Sequence, residues 1–132
     1  MTNQELEIHF KQLLAEYRFT QLADEVSELL NTTQWNKDNL DWRMQCFQFY
    51  FEAYQRLADS KNMAKIASQM QVIIEDHDSE ISAEMLCKTL ISIATVKISQ
   101  YEFIEGKQYI DKNEVRRKDQ GNNTSLSQFP KD

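Results

Sequence analysis

Apolar residues recur every three or four positions along most of the chain, and short polar breaks divide the pattern into segments. Leu6, Phe10, Leu13, Leu14 and Tyr17 form a first stripe at helical spacing. Thr2 and Glu5 ahead of it match a capping box. After "YRF", Thr20 can cap a second helix carrying Leu22, Ala23, Val26, Leu29 and Leu30. "NTTQWNKDN" is rich in turn formers and predicts a loop. Asp38 or Asn39 can cap a third helix, Leu40 to Ala58, and "DSKN" at 59–62 ends it. A fourth helix places Met63, Ile66, Ala67, Met70, Ile73 and Ile74 on one face. The polar turn "EDHDS" at 75–79 leads into a fifth, from Ile81 to Phe103, with Asp78 or Ser79 as its cap. Gly106 suits a helix end or the following turn, and "KQYIDKNEVRR" predicts a short sixth helix. The last residues carry little apolar content. The pattern therefore predicts an all-α fold of six helices in three antiparallel hairpins over residues 1–115, with a flexible C-terminal tail over 116–132.

Two of these helices are apolar over too wide an arc to be ordinary surface helices. On a wheel of about 100° per residue, Asp41, Gln45, Gln48, Glu52, Gln55 and Arg56 gather in one polar stripe of the third helix. The remaining arc is roughly 200° wide, against about 100° for a surface helix, and is apolar apart from Arg43. One flank holds Leu40, Met44, Phe47, Phe51, Tyr54 and Ala58; the other holds Trp42, Cys46, Phe49, Ala53 and Leu57. In the fifth helix Glu84, Lys88, Ser92, Thr95, Ser99 and Glu102 form the polar stripe. Met85, Leu86, Leu90, Ile91, Ile93, Ala94, Ile98 and Tyr101 lie around the rest. Both helices are thus predicted to be central. The second flank of the third helix has two possible covers. It packs inside the fold, or Trp42 and Phe49 meet a partner or a second copy, since an uncovered patch of that size is unusual in a monomer.

The breaks between stripes also resemble one another. In "EYRFTQLADEV" at 16–26, "AYQRLADSKNMAKIA" at 53–67 and "QYEFIEGKQYI" at 100–110, an aromatic near a helix end precedes a turn and a new apolar stripe. Tyr17, Tyr54 and Tyr101 lie roughly 40 residues apart, a helical-hairpin period. The chain resembles a degenerate tetratricopeptide-like array of three hairpins over about residues 2–115. Tyr101, Gly106 and Tyr109 fall where that repeat often has an aromatic, a small residue and an aromatic. The other two hairpins lack the glycine, and the spacing exceeds the usual ~34 residues. A compact helical bundle gives the same apolar pattern. The resemblance implies an adaptor, a secretion chaperone or a peptide-responsive regulator.

Composition and local sequence sharpen this picture in four ways. Only two glycines and one proline, Pro130, occur in 132 residues, too few for the turns of a sheet-rich fold. A formal net charge of −6 opposes non-specific nucleic-acid binding, which needs clustered Lys and Arg. The N-terminus lacks the basic start and apolar core of a signal peptide, and no run is long enough to span a membrane. Cys46 and Cys87 fall in apolar helical patterns and read as buried thiols in a reducing, cytoplasmic setting.

Candidate chemistry is sparse. There is no phosphate-cradling glycine loop and no nucleophile elbow. His9, His77 and the two cysteines have unrelated spacings, which gives no zinc pattern. "EDHDSE" alternates acids like the start of a calcium loop, but Ile81 and Cys87 stand where glycine and the bidentate glutamate belong. "VRRK" at 115–118 is the one basic cluster and suits a helix C-terminus.

The expected function is a non-enzymatic interaction module, without cofactor or metal, that binds a protein or peptide through a groove between hairpins. Trp42, Gln45, Phe49 and Glu52 on the third helix and Lys88, Ser92 and Thr95 on the fifth are its candidate contacts, with a homodimer through Trp42 and Phe49 as a further possibility. The alternative is a small acidic inhibitor or immunity protein that blocks a basic site on an enzyme or nucleic-acid-binding complex. That reading requires Glu25, Glu28, Asp41, Glu52, Asp76, Asp78 and Glu80 to share one face. An enzyme with scattered carboxylates would require a deep pocket.

Overall fold

The capping box at Thr2 forms as the sequence predicts. The Thr2 hydroxyl accepts from the Glu5 amide at 3.1 Å, and the Glu5 carboxylate accepts from the Thr2 amide at 3.3 Å. It opens α1 (Asn3–Ala15), the first of five helices in a computed structural model that describes residues 1–119, with the side chains of 1–105, 107 and 108. The others are α2 (Phe19–Thr32), α3 (Leu40–Arg56), α4 (Ser60–His77) and α5 (Ala83–Asp119), and no strand occurs among the described residues. The all-α fold is as expected, with five α-helices in place of six. The sixth is not separate, because α5 continues through Gly106. One glycine costs about 1 kcal/mol in a helix interior, too little to end a helix with Glu105 and Lys107 beside it. Tyr101, Gly106 and Tyr109 consequently lie within α5 and not around a turn. The segment 120–132, most of the expected tail, lies outside the described residues.

Capping residues differ from expectation in detail. Thr20 does not cap α2, whose N-cap position is held by Arg18 with no side-chain cap bond. Asn39, one of the two residues expected, holds the N-cap position of α3 but makes no side-chain cap bond, and Asn36 opens the short 3-10 turn before it, accepting from the Asp38 amide at 2.8 Å. Asp59 caps α4 by accepting from the Asn62 amide and side chain at 3.1 and 2.7 Å, and these bonds hold its carboxyl below the usual range. At α5 it is Ser82, not Asp78 or Ser79, whose hydroxyl accepts from the Met85 amide at 3.3 Å. The Ser82 amide in turn donates to Asp41 at 2.9 Å, tying the starts of α3 and α5 together.

The turns α1–α2 and α3–α4 are built alike. In the first, Tyr17 and Arg18 amides return to the Leu14 and Leu13 carbonyls; in the second, Ala58 and Asp59 amides return to Gln55 and Tyr54. This is the paired pattern of a Schellman cap, whose pivotal residue takes the left-handed conformation. Glycine usually fills that position, but here Tyr17 (φ 58°) and Ala58 (φ 55°) do. The likeness between the breaks at 16–26 and 53–67 therefore has a backbone cause, although Tyr54 is not the counterpart of Tyr17.

By packing, the chain divides into two compact units, Met1–Val96 and a second beginning at Lys97. In the first, α3 lies between two core clusters. Leu40, Met44, Phe47 and Phe51 pack with Ile66, Ala67, Met70 and Ile73 of α4 and with Met85, Ile93 and Val96 of α5. Cys46, Phe49 and Ala53 pack with Phe10 and Leu13 of α1 and Leu22, Ala23 and Val26 of α2. The two flanks read from the wheel match these two clusters except at their last residues, Leu57 and Ala58, which are exposed, and the uncertain flank is covered by α1 and α2. Full burial of a large apolar side chain contributes roughly 1.5–3 kcal/mol, so α3 organises the unit.

The expectation fails for α5. Within the first unit it buries only one face, and Cys87, Leu90 and Ile91 are exposed. The apolar arc is as wide as the sequence shows, but among the described residues no sixth helix turns back to cover it. In the second unit Ile98, Tyr101, Phe103 and Ile104 are likewise exposed.

Candidate functional site

The polar stripe of α3 meets α5 along a groove of about 150 Å³, lined by Gln48, Phe51, Glu52, Ile91, Ser92 and Thr95 among others. Gln48 is the joint. Its amide nitrogen donates to the Thr89 hydroxyl at 3.4 Å and its oxygen accepts from the Ser92 hydroxyl at 3.1 Å. Thr89 is fully buried and donates to the Met85 carbonyl at 2.8 Å. Buried polar groups need partners of this kind, so a glutamine at this position fixes how α3 and α5 meet. Gln48 was visible in the polar stripe, but nothing in the sequence distinguished it from Gln45 or Gln55.

Three of the seven expected contact residues, Glu52, Ser92 and Thr95, come together in this groove. Glu52 faces it with a long ion pair to Arg56, 3.7 Å, between partly exposed side chains; such a pair adds little and leaves the carboxylate available. The Thr95 hydroxyl donates to the Ile91 carbonyl at 2.8 Å. Lys88 is exposed and pairs with Glu84 at 3.2 Å, and Gln45 is half-buried.

Phe49 requires a correction. It is only 4% exposed and meets Phe10 edge to face at 5.5 Å. It is core, because α1 and α2 fill the flank that the sequence left open, and it presents no surface to a partner or a second copy. Trp42 is half-buried against the same cluster.

Other expected features resolve locally. His9 bridges α1 and α2 through Glu25 at 2.8 Å. Glu25 and Glu28 share a shallow depression with Leu6 and Phe10, Asp41 is engaged by Ser82, and Glu80 lies 3.4 Å from His77. Cys46 is buried, which pushes its thiol up to about 12, whereas Cys87 is exposed, against expectation. Among the described residues no three His, Cys, Asp or Glu side chains are grouped to hold a metal ion, and no helix is long and apolar enough to cross a membrane.

The comparisons with known proteins add no relative to this geometry: no family model, no curated protein and no solved structure matches the chain.

Proposed function

We propose that the protein is a non-enzymatic interaction module that seats an amphipathic helix of a protein partner along α5, beside its groove with α3. The observation that carries this reading is the exposure of Leu90 and Ile91, 50% and 61%, next to a groove holding the available carboxylate of Glu52. Covering the two aliphatics would contribute on the order of 1 kcal/mol each. Glu52 and the acidic chain favour a basic side chain on the partner. The groove hydroxyls support binding over catalysis, because Ser92 and Thr95 donate to amide acceptors and no hydrogen bond among the described residues joins either to a carboxylate.

Photo-crosslinking from position 91 in native lysate, read by mass spectrometry, tests it. The expected product joins the chain to a basic amphipathic helix of a different protein. Leu90→Glu should abolish it and Glu52→Lys should weaken it about tenfold, with thermal stability unchanged. Crosslinking to a second copy alone, or capture indifferent to Leu90→Glu, overturns the proposal.

A further inference from the structure

On the wheel of α3, Arg43 lies roughly 120–180° from Gln48, Glu52 and Gln55, at about 100° per residue. It interrupts an otherwise apolar arc, and it reaches a separate concavity of about 260 Å³ between α2, α3 and α4. Two cations line that cavity, half-buried Arg43 and exposed Lys65, with Ser27, Asn31, Asn62 and Gln69 as neutral polar neighbours. No carboxylate lines it, although the chain carries 21 Asp and Glu against 15 Lys and Arg. Asp59 is the acid bonded to a lining residue, through the Asn62 amide, and it is occupied as the α4 cap.

Arg43 is held but not paired. Its guanidinium carbon lies 5.8 Å from the Trp35 ring centre and 5.9 Å from that of Phe47. Trp35 is itself anchored, its indole N–H donating to the Leu30 carbonyl at 3.0 Å. The Arg43 Nε is buried without a hydrogen-bond partner, the one buried side-chain nitrogen or oxygen in that condition among the described residues. No ion pair among the described residues engages either Arg43 or Lys65. A buried donor left unsatisfied is costly, and a buried charge more so. Burial accordingly pulls the guanidinium below its usual range, yet arginine stays charged. A planar guanidinium held over aromatic rings, with no hydrogen bond of its own among the described residues and a lysine lining the same cavity, is an arrangement suited to oxyanions.

We propose that this cavity binds a small oxyanion, a phosphate or carboxylate group, between Arg43 and Lys65. The site is independent of the α3–α5 groove, since no residue lines both. Its volume admits a small organic anion and not a polymer, and its mouth at Asn31, Lys65 and Gln69 is open to solvent.

The test titrates the full chain with inorganic phosphate and, separately, with acetate, each against chloride at equal ionic strength. Thermal unfolding and the phosphorus-31 linewidth of phosphate are followed. A saturable rise in Tm with at least one of the two oxyanions is expected, and which one responds identifies the head group. Arg43→Met keeps the stem over the rings and should abolish the response. Lys65→Gln, at an exposed position that folding does not need, should weaken affinity at least tenfold. If Arg43→Met fails to fold, Lys65→Gln alone decides. An equal response to chloride, no response to either oxyanion, or an undiminished response in Lys65→Gln overturns the proposal.

Discussion

Replacing Ala58 by glycine should stabilise the protein, against the rule that glycine weakens helical proteins. Ala58 sits at φ 55° just past the end of α3, its amide returning to the Gln55 carbonyl at 3.1 Å. An L-residue pays roughly 1–2 kcal/mol for the left-handed region, and glycine pays none. Glycine's freer unfolded chain takes back about 0.5–1 kcal/mol, leaving a net gain of about 0.5–1 kcal/mol. Ala58 is exposed, so no packed methyl is lost. For a domain of this size that gain is a rise of about 2–4 °C in Tm. Calorimetry with urea unfolding measures it, at an unchanged m-value. Ala58→Val is the counterpart, because a β-branched side chain is hardest to hold there, and it should lose at least 1 kcal/mol. A neutral or destabilising Ala58→Gly, or a tolerated Ala58→Val, would show that α3 does not end in this cap.

Phe49→Ala should cost about 3–5 kcal/mol, as a buried aromatic removed from a packed core does, and should show in urea unfolding as a lower midpoint; an unchanged midpoint would return Phe49 to the surface. Cys87 should react with a thiol reagent in the native state at pH 8 while Cys46 does so only on unfolding, counted by mass spectrometry. The Cys46 thiol, ordinarily near 9 and raised to about 12 by burial, stabilises the fold fully below pH 9. That contribution is lost as pH climbs toward 12, because the unfolded thiol ionises first. Cys46→Ala should therefore flatten the alkaline limb of the stability curve.

How much was legible depended on whether a feature is local or needs a neighbour. The helix-forming stripes, the Thr2 capping box and the two flanks of α3 follow from spacing along one helix, and all three appear in the structure. What covers each flank does not follow from spacing. Phe49 and Ile91 occupy equally apolar arcs, yet α1 and α2 lie over the first, and no helix among the described residues lies over the second. Gly106 misled because its cost, about 1 kcal/mol, is smaller than what a continuing helix gains. The Schellman turns were partly visible as a likeness between breaks. Tyrosine was the obvious repeated letter, but the backbone role falls to Tyr17 in one turn and Ala58 in the other. Arg43 stood out in the sequence only as an exception, and its cavity needs Lys65 from another helix.

The circumference of α3 is almost wholly engaged, and this decides where interaction surfaces can lie. One flank packs on α4 and α5, the opposite flank on α1 and α2. Gln48 on the polar stripe bonds to Thr89 and Ser92 of α5, and Arg43 closes the cavity toward α2 and α4. A substitution on either buried flank of α3 therefore changes stability before it changes recognition, whereas Glu52 and Arg43 lie on the groove and the cavity and outside both packed flanks. The outer face of α5 has the opposite property, since Leu90 and Ile91 are exposed and a polar replacement there removes no core contact. The two helices look alike as sequences, both with wide apolar arcs. Their responses to mutation should separate cleanly, with loss of stability at Phe49 and loss of binding at Ile91.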